Sequence, residues 1–231
     1  MIRWTVALLV ASLLALPCPA KAELDTGLRR LKQEQDRDEL KSLEKKAANG
    51  DPAVAYEVGR RYRQGIGTTQ DPATAAKWYL KAAEKGYPDA QFALGYLYLT
   101  GNGVPASPAK ALEWFVKAGN QGHANAQYHV ALLCESGQGM RAPDPAKAAA
   151  WYRKAAERGH SDAQFRMGMI YLNGTGVEKN ATEARRWLKS AADKGNVLAK
   201  SELERLEPTK SGKKPAAAPT AAKPIIIIPG K

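Results

Sequence analysis

Four tryptophans constrain this chain more than any other feature. Trp78, Trp114, Trp151 and Trp187 follow one another at steps of 36, 37 and 36 residues, and Trp4 is the one tryptophan outside the series. A self-similar period of this length belongs to stacked supersecondary units, each unable to bury its apolar face alone. Glycines keep the same register: Gly65/Gly67, Gly101/Gly103, Gly137/Gly139 and Gly174/Gly176 form one series, and Gly86, Gly122, Gly159 and Gly195 a second. The extra residue of the third unit falls between Met140 and Pro143, past the paired glycines. Insertions collect in loops, so the period survives it.

Within each unit the local signals read helix, glycine turn, helix. The first helix carries an aromatic, a small residue and usually a tyrosine: Tyr56, Gly59, Tyr62; Phe92, Gly95, Tyr98; Tyr128, Ala131, Cys134; Phe165, Gly168, Tyr171. Offsets of three and six populate one side of a helix. The paired glycines then end it, since a residue past a helix end adopts positive φ at no cost when it is glycine. The second helix is announced by Asp71-Pro72, Ser107-Pro108, Asp144-Pro145 and Asn180-Ala181. A capping oxygen accepts from a free backbone N–H, and proline at the first helical position loses nothing. Ala75, Ala111, Ala148 and Ala184 precede the tryptophans by three residues, and Ala82, Ala118, Ala155 and Ala191 follow. This pattern predicts that small residues bring the two helices close and that the tryptophan is core.

At the level of whole units, Ala90 to Val104 (A-x-x-x-L-G-x-x-Y-x-x-G-x-G-V) and Trp151 to Gly159 (W-Y-x-K-A-A-x-x-G) resemble Sel-one-like repeats, relatives of the tetratricopeptide repeat. The resemblance implies an all-α fold, a right-handed α-solenoid of stacked antiparallel helix pairs, and a scaffold or adaptor role, often in bacterial envelopes. Repeats are expected at 51–86, 87–122, 123–159 and 160–195. Departures are Ala131 and Cys134 for Gly and Tyr in the third unit, and Leu188 for the second aromatic in the fourth.

The flanks differ in composition. Residues 1–22 have a basic start at Arg3, an apolar stretch from Val6 to Leu16 and the small-residue end Ala20-Lys21-Ala22, a pattern of a secretory signal cleaved after Ala22. The rival reading, a lipid anchor on Cys18, meets Pro17 where lipoprotein signals carry a small residue. No other stretch is long and apolar enough for a transmembrane segment. A periplasmic or secreted protein follows as the expectation. Segment 23–50 is densely charged, with Leu28, Leu31, Leu40 and Leu43 at helical spacing, and reads as one or two capping helices. Residues 196–206 repeat the first-helix register, with Ala199 in the place of Ala90, Ala126 and Ala163, and read as the opposite cap. Segment 207–231, rich in Lys, Pro and Ala around Ile225 to Ile228, lacks the apolar content for a core and reads as a disordered tail.

The formal net charge is +12, and removing Arg3 and Lys21 with the leader leaves +10. A basic balance favours anionic partners; for an exported protein these are acidic proteins, anionic lipid or cell-wall polymers, the last two as weak contacts of the tail, and not nucleic acid. Cleavage leaves one cysteine, Cys134, at a position held by tyrosine in the other units. It reads as a buried apolar filler, with a redox or partner-linking role as the alternative. This separates the chain from cysteine-rich secreted relatives of the family, which clip each hairpin with a cysteine pair and are linked to β-lactam or peptidoglycan chemistry. A cell-wall hydrolase is therefore the alternative function.

No catalytic or cofactor constellation emerges. His123 and His160 share one repeat position and His129 stands alone, so no pair has metal-ligand spacing. Gly-x-Gly ends helices here, since a phosphate loop needs a preceding strand and a following Lys-Ser/Thr. Comparing units instead exposes two variable stripes on the first helices: Arg60, Tyr96, Leu132, Met169, and three residues on Arg63, Leu99, Glu135, Leu172. Variation at fixed scaffold suits a surface shaped for a particular protein partner on the concave side. The competing reading is that Tyr96, Leu132 and Met169 pack on the neighbouring hairpin.

Overall fold

The structure is a computed structural model, and it describes residues 18–206. The expected leader, apart from its last five residues, and the tail 207–231 lie outside the described residues. Helix α1 runs Cys18–Ala48. Four hairpins follow: α2 Pro52–Gln64 with α3 Pro72–Glu84, α4 Pro88–Thr100 with α5 Pro108–Asn120, α6 Ala124–Ser136 with α7 Pro145–Glu157, and α8 Ser161–Asn173 with α9 Ala181–Asp193. Helix α10, Val197–Leu206, ends the described chain. All regular structure among the described residues is helical, and each helix packs on the next in sequence, as in a right-handed α-solenoid.

The caps form as the residue types dictate. Asp71 accepts from the Thr74 N–H at 3.0 Å, Asp144 from Lys147 at 2.9 Å and Asn180 from Glu183 at 3.0 Å. Gly101 leaves α4 at φ 72°, which turns the chain back so that the next N–H, of Asn102, reaches the Leu97 carbonyl at 3.3 Å. Its companion Gly103 is small for a different reason: a Cβ there would collide with the backbone of Pro72, at the start of the preceding unit's second helix. One glycine ends the helix, and the other lets units approach.

The packing of the hairpins corrects one expectation in part: Trp151 and Trp187 are core, whereas Trp78 and Trp114 are only partly buried. The residue after each tryptophan, not the tryptophan, fills the centre of its hairpin: Tyr79, Phe115, Tyr152 and Leu188 are sealed from solvent. Trp78 and Trp114 are half-buried, and Trp151 and Trp187 are buried with an edge exposed. Lys81, Lys117 and Lys154 cover their rings at 4.1, 3.8 and 4.1 Å from the centroid. A cation over an indole face belongs at a wet margin. The indole closes the edge of the hairpin and the next side chain fills the middle.

Both ends of the stack are half-units. Gly67 meets the Asp36 backbone as Gly103 meets Pro72, so the second half of α1 stands one 36-residue period before α3. Leu40 and Ala47 are buried there, but Glu39 and Lys46 occupy the positions of Ala75 and Ala82. At the far end α10 buries Ala199, and Glu204 stands where Gly168 would receive a second helix. A charge at a close-approach position disfavours the tight seating of a facing helix there. Leu40 and Leu43 dock, whereas Leu28 and Leu31 are exposed, because α1 has 31 residues against the 13 of α2 and outruns it. Segment 23–48 is one unbroken helix within α1.

Candidate functional site

The two variable stripes lie along the layer of first helices, α2, α4, α6 and α8. Of the first stripe, Tyr96 is the exposed large apolar residue, 38 % accessible. Arg60 is held by Glu57 at 2.7 Å and by the Gln64 side chain at 2.9 Å. Leu132 is half-buried on the core, and Met169 is half-buried.

The second stripe follows the chemistry of the residue that fills each hairpin. Tyr152 donates its hydroxyl to Glu135 Oε2 at 2.6 Å, and Arg166 approaches the same carboxylate at 3.7 Å. Tyr79 has Arg63 beside its hydroxyl, while burial pushes its pKa up to about 12. Where the filler has no hydroxyl, as with Phe115 and Leu188, the stripe residue is Leu99 or Leu172. Leu99 packs on the central cluster and Leu172 on the C-terminal one. Thus Leu99, Glu135 and Leu172 have intramolecular work, and Arg63 and Tyr96 are the two exposed candidates of the eight.

Around Tyr96 sits an aromatic set that sequence reasoning missed. The first-helix aromatics meet the residue that opens the next unit: Tyr56 packs at a tilt on Tyr87 at 5.4 Å, while Phe92 stacks on His123 at 4.7 Å and Tyr128 on His160 at 4.4 Å between centroids. Both histidines are N-caps. His123 Nδ1 accepts from the Ala126 N–H at 3.1 Å, and His160 Nδ1 from Ala163 at 3.2 Å. An accepting Nδ1 is unprotonated, which leaves His123 Nε2–H to face Asp89 Oδ1 at 3.3 Å. Their position just before a helix was the available signal, because histidine is not among the usual capping types. His129 lies between Phe115, at 5.1 Å and stacked, and Tyr96, edge-on at 6.2 Å. Burial lowers its pKa to about 4.

A second missed series joins the units. Gln91, Gln127 and Gln164 are buried and donate to the last carbonyls of the preceding second helix, Ala83, Gly119 and Ala156, at 3.1, 2.8 and 3.0 Å. Each carbonyl also accepts the N–H of the turn glycine three residues on, Gly86, Gly122 or Gly159, so the glutamine is its second donor and ties the next unit to the helix end. The repeated Ala-Gln pair at 90–91, 126–127 and 163–164 carried that signal.

Cys134 is fully buried, and burial raises its thiol pKa, so the thiolate is disfavoured. Met140, from the longer third loop, packs on the same cluster. Among the described residues no group of three or more His, Cys, Asp or Glu converges as metal ligands, and no helix is long and apolar enough to cross a membrane.

The Sel1 repeat profile matches residues 52–87, 88–123, 124–160 and 161–196. Two solved structures are similar over most of this chain. One is a protective antigen present in uropathogenic Escherichia coli strains displaying an SLR fold, 38 % identical with a TM-score of 0.69, covering 71 % of this chain and 35 % of that one. The chain thus spans about a third of the length of that antigen. The other is a Sel1 repeat protein from Oxalobacter formigenes, 34 % identical with a TM-score of 0.68, covering 77 % of this chain and 70 % of that one. No curated protein matches the sequence.

Proposed function

We propose, from the premise that the chain belongs to the Sel1 repeat family, that it is a non-catalytic scaffold or regulator of the bacterial periplasm or cell envelope, holding a protein partner on the concave face of its solenoid. Sel1 repeats generally serve protein–protein interaction. The observation that carries the reading is a contrast within the first helices. Positions 59, 95, 131 and 168 hold only Gly or Ala, whereas the adjacent stripe runs Arg60, Tyr96, Leu132, Met169. In its middle Tyr96 leaves an aromatic ring in solvent beside an aromatic cluster. Exposed aromatics next to half-buried apolar side chains suit the centre of an interface. Export by a signal cleaved after Ala22 and a weakly polymer- or lipid-binding basic tail belong to the same reading.

A photo-crosslinking side chain placed at position 96 is the test, with position 150, on the exposed side of α7, as control. A discrete adduct in the cell envelope from position 96 alone is the expected result. Equal labelling from both positions would remove the concave face from consideration. The hydrolase alternative predicts turnover of nitrocefin or peptidoglycan above a heat-killed control, and the scaffold reading predicts none.

A further inference from the structure

Three of the four loops within hairpins drive an apolar side chain into the stack. Val104, Met140 and Val177 occupy one register position and pack against the core clusters. In the first unit that position is Thr68. A cavity of about 590 Å³ opens there, between α1 and the loop. Its wall is one face of α1, Gln33, Arg37, Lys41 and Glu44 at spacings of four, four and three, with Thr68 and Tyr62 opposite.

The charge on this wall is uneven. Glu44 Oε1 already accepts the Tyr62 hydroxyl at 2.7 Å. Lys41 has only a long contact to the exposed Asp38, at 3.9 Å. Arg37 forms no ion pair among the described residues. Two cations one turn apart thus face a recess with one committed carboxylate, beside the Thr68 and Thr69 hydroxyls and an apolar floor at Leu40. A guanidinium fork with neighbouring hydroxyls matches the oxygens of a carboxylate or phosphate. The volume falls in the range of small-molecule sites, about 300–1,000 Å³.

We infer that this cavity is a ligand site for an oxyanion carried on a small, partly apolar body, with Arg37 and Lys41 gripping the anion and the Thr68 hydroxyl donating to it. The inference is independent of the concave-face reading, since no cavity residue belongs to either stripe.

The test titrates the full-length, isotope-labelled protein with acetyl-Leu-Glu and, separately, with its phosphoserine counterpart, following the amide signals of Gly65, Gly67, Thr68 and Thr69. Saturable shifts with either probe support the site, and the probe that saturates assigns carboxylate or phosphate. Arg37→Gln, on the surface of α1, weakens binding by about tenfold or more. Thr68→Val, nearly equal in volume, removes one hydroxyl donor, weakens binding several-fold and leaves the protein folded. Neither probe saturating by about 10 mM, or undiminished binding to Thr68→Val, would overturn the inference.

Discussion

The Cα of Gly95 faces the ring of Phe115 so closely that a Cβ at position 95 would lie 2.8 Å from the ring's Cδ1 and 3.2 Å from the Ala111 carbonyl oxygen. Gly59 with Tyr79 and Gly168 with Leu188 repeat the relationship. Alanine favours a helix interior over glycine by about 1 kcal/mol, but overpacking a filled core costs about 1–3 kcal/mol. Packing wins, so Gly95→Ala lowers the thermal midpoint despite its better helix propensity. A midpoint equal to or above wild type would show that Phe115 moves aside freely.

Phe115 and Trp114 differ in the same hairpin. Phe115 is sealed, and Phe115→Ala should cost about 3–5 kcal/mol. Trp114 is half-buried under Lys117, so Trp114→Ala should cost less, roughly half as much. Chemical denaturation of the two variants checks the ranking, and a larger loss for Trp114→Ala would restore the tryptophan as the centre of the hairpin.

That reversal shows where the sequence was legible. Period, caps and glycine turns are local signals whose physics acts within a few residues, and they placed every hairpin. Which of two adjacent aromatics points inward at positions 114 and 115 depends on the partner helix: Gly95 decides it, and Gly95 lies about twenty residues away. Pattern alone favoured the rarer residue. The stripes were legible as variable positions, but not the reason for one of them. Glu135 varies because Tyr152 carries a hydroxyl, a pairing seventeen residues apart that only the packed hairpin displays.

The Tyr152–Glu135 pair gives a double-mutant cycle. Glu135→Leu alone leaves a buried hydroxyl without its acceptor and should cost about 1–3 kcal/mol. Adding Tyr152→Phe recreates the Phe115–Leu99 arrangement of the second unit and should recover most of that loss. Additive losses in urea unfolding would separate the stripe from the core and return Glu135 to the partner surface.

Acid should weaken the stack through its histidines. His129 faces Phe92, Tyr96, Phe115 and Tyr128, feels His123 and His160 as like charges, and titrates at about 4 in the fold. An unfolded histidine titrates near ~6.5. Between those values the unfolded chain binds more protons, so the contribution is fully present above about pH 6.5 and is lost as pH falls towards 4. Burial lowers the pKa of His123 and His160 in the same direction. Their protonation at Nδ1 would also remove two helix caps. His129→Phe should flatten the fall in unfolding free energy between neutral pH and about 4, by on the order of 2–3 kcal/mol. Parallel pH profiles for variant and wild type would mean that His129 is as easily protonated folded as unfolded.

The last prediction separates surface from core on the first stripe. Tyr96 touches His129 only edge-on and remains 38 % accessible, and Met169 is half-buried two units away. Truncating a partly exposed side chain opens little cavity, so Tyr96→Ala with Met169→Ala should shift the melting midpoint far less than Phe115→Ala. If the pair anchors a partner, losing a central aromatic and an apolar side chain two units along the same stripe should weaken capture by about tenfold or more. The photo-crosslinked adduct from position 96 identifies the partner, and the double variant is then titrated against that protein. Leu99→Ala is the control on the other stripe: it packs on the core, so it should lower stability before it touches affinity. A double variant that binds like wild type would remove these residues from the interface, and one that melts as early as Phe115→Ala would make them core.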